Sequence, residues 1–115
     1  MPKLLNKSKP SSLDFQLEKA DGFFSRAVGL LGRDRLEDRT ALWITRCRSI
    51  HTFFMKFSID VVFVDKHLTV KKVLSNVAPW KMPLPVLSAS SVFEFNGGQS
   101  LLLQVEVGDQ LDVVN

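Results

Sequence analysis

Hydrophobic spacing along the first third of the chain predicts one strand and one helix. Residues 13–17 alternate apolar and polar side chains, a period of two that predicts a strand with one wet face. Within residues 22–31 the apolar side chains follow a helical stripe, and Gly32 is placed to end that helix. Residues 1–12 are polar and rich in lysine, so we expect a flexible leader there.

The remaining chain is dense in β-branched and aromatic residues, which favours strands. We expect these at 41–45, within 50–64, and at 68–74, 92–95, 101–107 and 111–114. Three prolines within residues 77–85 predict a surface loop, anchored through Trp80. One helix and about seven strands joined by short connections predict a single α+β domain over residues 13–115. Its chiefly antiparallel strands are expected to form a twisted, partly closed, barrel-like sheet.

Length and composition narrow the class of protein. A chain of 115 residues, 45% of them apolar, suits one domain with its own core. Cys47 is the only cysteine, which excludes a disulfide framework. No apolar run approaches the roughly 20 residues that cross a bilayer, so we expect no membrane contact. The chain has no signal-peptide pattern at its start, and we therefore expect a cytoplasmic protein.

All six arginines lie between Arg26 and Arg48, where three acids leave a net charge of +3. The rest of the chain has nine lysines and nine acids, so its charges cancel. Guanidinium groups suit carboxylate or phosphate partners, but the interspersed acids favour a salt-bridged surface loop. Nucleic-acid binding is not expected, because no basic stripe is interleaved with aromatic residues.

A thiol, an imidazole and a carboxylate lie within an apolar stretch, at Cys47, His51 and Asp60. On a strand over residues 50–57, His51 would share a face with large apolar side chains. Asp60 must then have hydrogen-bond donors or lie at a mouth that water reaches. The three groups would suit a nucleophile, its base and an orienting acid. Alternatively, Cys47 packs as a small apolar residue while the other two brace the fold or line a pocket.

Three further observations bear on the chemistry. Glu94 interrupts an apolar strand and faces either a cavity or solvent, with solvent favoured by alternation. Arg26, on the predicted helix, is placed to pair with a carboxylate. The two histidines have no metal-ligand spacing, so neither a metal nor a cofactor is expected.

The order and spacing of several motifs resemble the family called domain of unknown function 192, from about Phe15 to Asn115. The motifs are Arg26, Gly29-Leu30-Leu31 with Arg33, Ile50-His51-Thr52 with Met55, Ile59-Asp60 with Phe63, Pro79-Trp80, Glu94 with Gly98, and Gly108-Asp109. The resemblance implies a small, mostly β protein of bacterial type with one helix and an uncharacterised activity. Many members of this bacterial and archaeal family look exported. Its chemically competent positions would be Arg26, His51, Asp60, Glu94 and Asp109.

The leading functional hypothesis is a non-catalytic binding module. A pocket lined by His51 and Asp60, with Arg26 nearby and Glu94 as a further candidate, would take a small polar or anionic ligand. One alternative is a small hydrolase or transferase that uses His51 with Asp60 or Cys47. Another is an interaction protein that uses the arginine-rich segment 26–48. The oligomeric state stays open.

Overall fold

The computed structural model describes residues 2–20, 33–53 and 55–115. It contains seven strands: β1 (Lys3–Asn6), β2 (Phe15–Ala20), β3 (Thr40–Thr45), β4 (Ile59–Val64), β5 (Val70–Val77), β6 (Ser91–Asn96) and β7 (Leu111–Val114). A 3₁₀ helix, Gln99–Leu103, is the only regular helix within these ranges. The α-helix predicted for residues 22–31 lies outside the described residues.

The seven strands form one sheet in the order β5-β4-β6-β3-β2-β1-β7. Neighbouring strands are antiparallel except for β2 and β3, which run parallel. A parallel pair needs a long crossover connection, and the interval of residues 21–39 provides one between these two strands.

The two outer strands approach each other at one end of the sheet. Thr69, next to β5, forms an isolated bridge with Gln110, next to β7. The Val70 N–H donates to the Asp109 carbonyl at 2.9 Å, and the Leu111 N–H donates to the carbonyl of Leu68 at 3.0 Å. These contacts curl the sheet into a half-barrel, which confirms the mostly β, partly closed architecture.

Each face of the sheet covers its own apolar core, and β4 contributes to both. Ile59, Val61 and Phe63 belong to what we call the first core. Val62 and Val64 belong to the second core, because successive side chains on a strand point to opposite faces. Every residue of β4 is buried, as expected for a strand that is covered on both sides.

The N-terminal segment differs from the flexible polar leader that the sequence predicts. Residues 3–6 form β1, which pairs with both β2 and β7. Leu4 is fully buried, and the Asn6 side-chain amide donates to Asp109 at 3.0 Å and to the Leu103 carbonyl at 2.9 Å. The partners of this short strand lie far along the chain, so its local composition gives no sign of the pairing.

The segment around His51 is not the expected strand. Residues 50–53 and 55–57 have no strand pairing, and Thr52 bonds instead to residues 78–81. The phenylalanine-rich segment that suggested a strand is therefore irregular, and Thr52 within it makes its hydrogen bonds to another loop.

The strand predicted for residues 101–107 is also absent. The chain enters the 3₁₀ helix there, bounded by Gly98 at φ 87° and Gln104 at φ 54°. Of the three consecutive leucines 101–103, only Leu103 is buried, so only one of them packs into the core. Because neighbouring leucines do not alternate between two faces, the pattern that predicted a strand is misleading here.

Candidate functional site

Hydrogen bonds enclose the carboxylate of Asp60. Its Oδ1 accepts the backbone N–H groups of Asn76 at 2.8 Å and Gly98 at 3.0 Å. Its Oδ2 accepts the N–H of Ser100 at 3.0 Å and the Ser100 hydroxyl at 2.6 Å. The side chain is fully buried, and these four donors replace the water it gives up on folding.

The backbone around Asp60 is shaped to direct its amides at that carboxylate. The β4–β5 register shifts between Ile59 and Val61, so β5 carries one extra residue opposite Asp60. Asn76, within this irregularity, has φ 51°. A Cβ on Gly97 would lie 2.5 Å from the Asn76 Oδ1 and 3.2 Å from the Ser58 carbonyl oxygen, so a larger residue there would displace the Asn76 side chain. The Asn-Gly-Gly run thus lets two loops approach the same carboxylate.

This arrangement supports a structural role for Asp60. Both of its oxygens have partners, and the side chain presents no surface to a ligand. The expectation that a buried Asp60 needs donors is met. The prediction that Asp60 lines a ligand pocket gains no support from its surroundings.

Glu94 is a second buried carboxyl, and it faces the other side of the sheet. The β4–β6 pairing sets Asp60 opposite Phe95 and Glu94 opposite Val61. Directly paired residues project to the same face, so Glu94 faces the first core and Asp60 the second. Glu94 is only 4% exposed, so the solvent-facing placement favoured by alternation is wrong.

The surroundings of Glu94 are apolar. Leu42 of β3 and Val61 of β4 flank it within the sheet. Among the described residues no donor bonds to the carboxyl, and burial raises the pKa of Glu94 from 4.5 to about 7. Protonated and ionised forms of this group therefore coexist near neutral pH.

His51 contacts aromatic neighbours rather than either carboxyl. The imidazole is exposed, and its Nδ1 accepts the Phe53 N–H at 3.3 Å. The ring centroids of His51 and Phe53 are 5.1 Å apart, and those of Phe53 and Trp80 are 6.1 Å apart, each pair tilted by 30°. The structure thus brings His51 together with two aromatic rings, and within the described residues it makes no bond to Asp60 or Glu94. We call these three rings the aromatic stack.

Thr52 fixes the aromatic stack. Its buried hydroxyl donates to the Ala78 carbonyl at 2.6 Å and accepts the Lys81 N–H at 2.8 Å. Its backbone carbonyl accepts the Trp80 N–H at 2.9 Å, and its own N–H donates to the Lys81 carbonyl at 2.9 Å. Four bonds from one residue hold two distant segments of the chain side by side.

We call residues 78–90 the apolar loop, and it is also anchored at its other end. The Val86 N–H donates to the carbonyl of Arg48 at 2.8 Å, and the Arg48 Nε donates to the Ala89 carbonyl at 3.2 Å. The Cys47 N–H donates to the Ser90 carbonyl at 3.0 Å. Bonds at both ends therefore define the path of the loop.

The apolar loop exposes four large hydrophobic side chains: Trp80 at 59%, Met82 at 70%, Leu84 at 82% and Leu87 at 79%. The sequence suggested that Trp80 anchors the loop, but backbone hydrogen bonds do so, and the indole is largely exposed. Several exposed apolar side chains on one short loop are typical of interaction surfaces. The corresponding pattern in the sequence is a run of large apolar residues among prolines, which predicts a surface loop but not the exposure of these side chains.

Charge adds to this surface. Residues 46–56 and the apolar loop together contain four cations and no acid: Arg46, Arg48, Lys56 and Lys81. The rest of the chain carries eleven cations and twelve acids. Lys56 pairs with Asp34 at 3.6 Å, with both side chains mostly exposed. We call these two segments together the basic apolar face.

The arginine-rich segment does not form one patch. Three of its arginines are in ion pairs: Arg33 with Glu18 at 3.1 Å, Arg39 with Asp14 at 2.8 Å, and Arg35 with Asp38. These pairs agree with a salt-bridged surface. Arg46 and Arg48 belong to the basic apolar face instead, and Arg26 lies outside the described residues.

The described contacts give no nucleophile–base pair. The thiol of Cys47 lies 2.9 Å from the Ser49 carbonyl oxygen, and His51 Nδ1 is engaged by Phe53. A cysteine mechanism needs the thiol and imidazole within hydrogen-bond reach of each other. Across the described residues, no group of three His, Cys, Asp or Glu side chains is arranged to hold a metal ion. That same part of the chain has no helix long and apolar enough to cross a membrane.

Comparisons with known proteins place these features in one family. The family model DUF192, described as "Uncharacterized ACR", matches residues 5–113. A UPF0127 protein of Pyrococcus abyssi is 36% identical over 114 residues, which cover 95% of each chain. A second, from Pyrococcus horikoshii, is 34% identical and covers 94% of this chain and 96% of its own. These relatives are archaeal and do not confirm the expected bacterial type.

The fold is also shared with a solved structure. The crystal structure of a protein of unknown function from Novosphingobium aromaticivorans superposes with a TM-score of 0.81 at 23% identity. The match covers 96% of this chain and 82% of that protein. It shows a common architecture and leaves the function to be argued from the residues themselves.

Proposed function

We propose that this chain, which belongs to the DUF192 family, is a non-catalytic binding module for a small anionic ligand. The ligand would lie on the basic apolar face, with His51 as its main polar contact. One observation carries the proposal: Thr52 fixes the aromatic stack between two segments whose sequences contain four cations and no acid. One of these cations, Lys56, is paired with Asp34 of a neighbouring segment. A positive face attracts anions, and a rigid stack presents a pre-formed surface to them.

The bonding of the His51 ring suits an anionic partner. Because Nδ1 accepts the Phe53 N–H, the proton of the neutral imidazole resides on Nε2. That N–H can donate to a phosphate or carboxylate oxygen.

Asp60 and Glu94 do not enter this site. Asp60 and Glu94 are both buried, and they face opposite sides of the sheet. Asp60 contributes indirectly, since its four hydrogen bonds join β4, β5 and the 3₁₀ helix. The proposal therefore keeps the binding module of the leading hypothesis but centres its site on His51 and the aromatic stack.

A titration of thermal stability with sn-glycerol 3-phosphate and inorganic phosphate tests the proposal. We expect the unfolding temperature of the wild-type protein to rise with ligand concentration, because ligands that bind only the folded state stabilise it. His51→Ala should weaken binding about tenfold, the effect of losing a charge-assisted hydrogen bond.

His67→Ala is the matched control, because His67 is also exposed but lies in the turn between β4 and β5. It should bind like the wild-type protein. The proposal is wrong if neither probe shifts the unfolding temperature, or if the two histidine variants lose binding equally.

A further inference from the structure

We propose that the basic apolar face docks on an anionic lipid surface, with the side chains of the apolar loop entering the headgroup region. This inference rests on the proposed function, since a lipid phosphate would be the anion that His51 binds. It departs from the expectation of no membrane contact, which rested only on the lack of an apolar run long enough to cross a bilayer and does not bear on docking at the surface.

The first support is the set of apolar side chains that the loop presents. Trp80, Met82, Leu84 and Leu87 are between 59% and 82% exposed. The loop is bonded at one end to Thr52 and at the other to Arg48, so these side chains project from a defined backbone. Tryptophan is enriched at membrane interfaces, and leucine gains free energy by leaving water.

The second support is the backbone of the loop. Amide hydrogens without partners are costly in a lipid environment. Three residues in the span 79–87 are prolines, which have no amide hydrogen, namely Pro79, Pro83 and Pro85. Three more residues bond their amides within the chain, namely Trp80, Lys81 and Val86. Six of these nine residues therefore leave no backbone donor unpaired. The amides of the other three, Met82, Leu84 and Leu87, would bond to the phosphate oxygens and water of the headgroup region.

The third support is the charge of the face. Its two segments contain four cations and no acid, one of which, Lys56, lies 3.6 Å from Asp34, and an anionic bilayer attracts such a group of basic residues. A second copy of this chain would present the same positive charge, which disfavours symmetric self-association through this face.

An acidic protein is the competing partner, and the side chains of the loop argue against it. Specific protein interfaces carry about one hydrogen bond per 100–200 Å². Between Pro79 and Leu87, only Trp80 and Lys81 have polar side-chain atoms. Such a surface suits a hydrocarbon boundary, where few directional bonds are required.

Co-sedimentation of the full chain with lipid vesicles tests the inference. We expect binding to phosphatidylcholine vesicles that contain about 30% phosphatidylserine, and little binding to phosphatidylcholine alone. Leu84→Ser should weaken binding about tenfold through lost apolar contact. Leu101→Ser is the matched control, since Leu101 is 75% exposed but lies on the 3₁₀ helix. It should bind like the wild-type protein.

Fluorescence gives a second, site-specific measurement. The chain has two tryptophans, so in a Trp43→Phe background the emission reports Trp80 alone. We expect a blue shift with anionic vesicles that is lost at high salt, because screening weakens the attraction.

The outcomes separate this inference from the proposed function. Stabilisation by glycerol phosphate that depends on His51, without vesicle binding, would overturn the lipid inference and leave the binding module intact. Vesicle binding that is not weakened by Leu84→Ser and that leaves the Trp80 emission unchanged would also overturn it, because charge alone would then explain the binding. Preferential binding to polyglutamate over vesicles would indicate an acidic protein as the partner. Failure of both soluble anions and vesicles would end both proposals.

Discussion

Asp60 and Glu94 are buried carboxyl groups on the paired central strands β4 and β6, yet their surroundings are opposite. Asp60 accepts four hydrogen bonds from three residues. Glu94 has no donor among the described residues and lies against apolar side chains. Burial is nearly complete for both, at 0% and 4% exposure, so burial alone does not decide what a carboxyl does for a fold. The supply of donors decides it.

The supply of donors follows from position along the strand. Asp60 is the second residue of β4, opposite an irregularity in β5 that leaves the Asn76 amide free to turn towards it. Glu94 lies within β6, between regular ladders to β3 and β4 that use the neighbouring amides. The strand end and bulge at Asp60 therefore provide backbone donors for a charge, whereas the regular mid-strand position of Glu94 provides none and favours the protonated form.

The largest effect is expected at Asp60. Asp60→Ala leaves three backbone amides and one hydroxyl without their acceptor in a closed space. We expect a loss of about 4 kcal/mol in the free energy of unfolding, measured by urea denaturation. Asp14→Ala, which removes a partly exposed ion pair with Arg39, should cost less than about 1 kcal/mol. Equal losses in the two variants would contradict the structural role of Asp60.

Glu94 should show the opposite behaviour, with a strong dependence on pH. Its pKa is about 7 in the folded protein, against 4.5 for the free side chain, so the folded state holds the proton more tightly. The stabilising contribution of the protonated group is complete below about pH 4.5 and is lost as the pH rises through 7. At about 1.4 kcal/mol for each unit of pKa, the full swing is about 3 kcal/mol.

Glu94→Gln isolates this contribution, because glutamine resembles the protonated acid in shape and stays neutral. Urea denaturation should give similar stabilities for the variant and the wild-type protein near pH 4. At pH 8 the variant should be more stable by about 2 to 3 kcal/mol. If the difference does not grow with pH, the account of Glu94 as a buried acid without a donor among the described residues is wrong.

Ser100→Ala probes a single bond in the Asp60 arrangement. The hydroxyl donates to Oδ2 at 2.6 Å, and its loss leaves the three backbone donors in place. We expect destabilisation of about 1.5 kcal/mol, typical of a hydrogen bond to a charged group. In an Asp60→Ala background the same substitution should cost far less, and a double-mutant cycle measures that coupling.

The smallest effect is expected at Gly97, which contacts the bulge rather than the carboxylate. An alanine Cβ there would lie 2.5 Å from the Asn76 Oδ1, so we expect a loss of about 1 kcal/mol. Asn76→Gly keeps the positive φ accessible and removes the clashing atom. Stability measurements should show that Gly97→Ala costs less in that background, and an unchanged cost would point to the nearby Ser58 carbonyl instead.

The sequence predicts the strands that carry dense or alternating apolar residues, and it fails where long-range bonds decide. The six strands β2 to β7 all lie at or near expected positions. β1 was missed because it depends on β7, roughly a hundred residues away along the chain. The strand predicted for residues 101–107 is wrong because the leucines belong to a 3₁₀ helix. The residues in left-handed conformation that bound this helix are not evident from hydrophobic spacing.

The candidate site was predictable only in part. The sequence identifies His51 as a candidate and shows that a buried Asp60 needs donors. It cannot show that backbone amides from two distant loops provide them. The aromatic stack depends on Thr52, an ordinary residue in the sequence whose bonds to residues 78–81 exist only in the folded chain.

The pairing of the first strand with the last has a consequence for biosynthesis. The Asn6 amide and its partner Asp109 are 103 residues apart, so a ribosome delivers one long before the other. Until β7 emerges, β1 can pair only with β2, over two positions. The edge of β1 that later pairs with β7 is open during this time. Nascent chains with such an open edge are prone to mispairing, so this sheet can close only after β7 has left the ribosome.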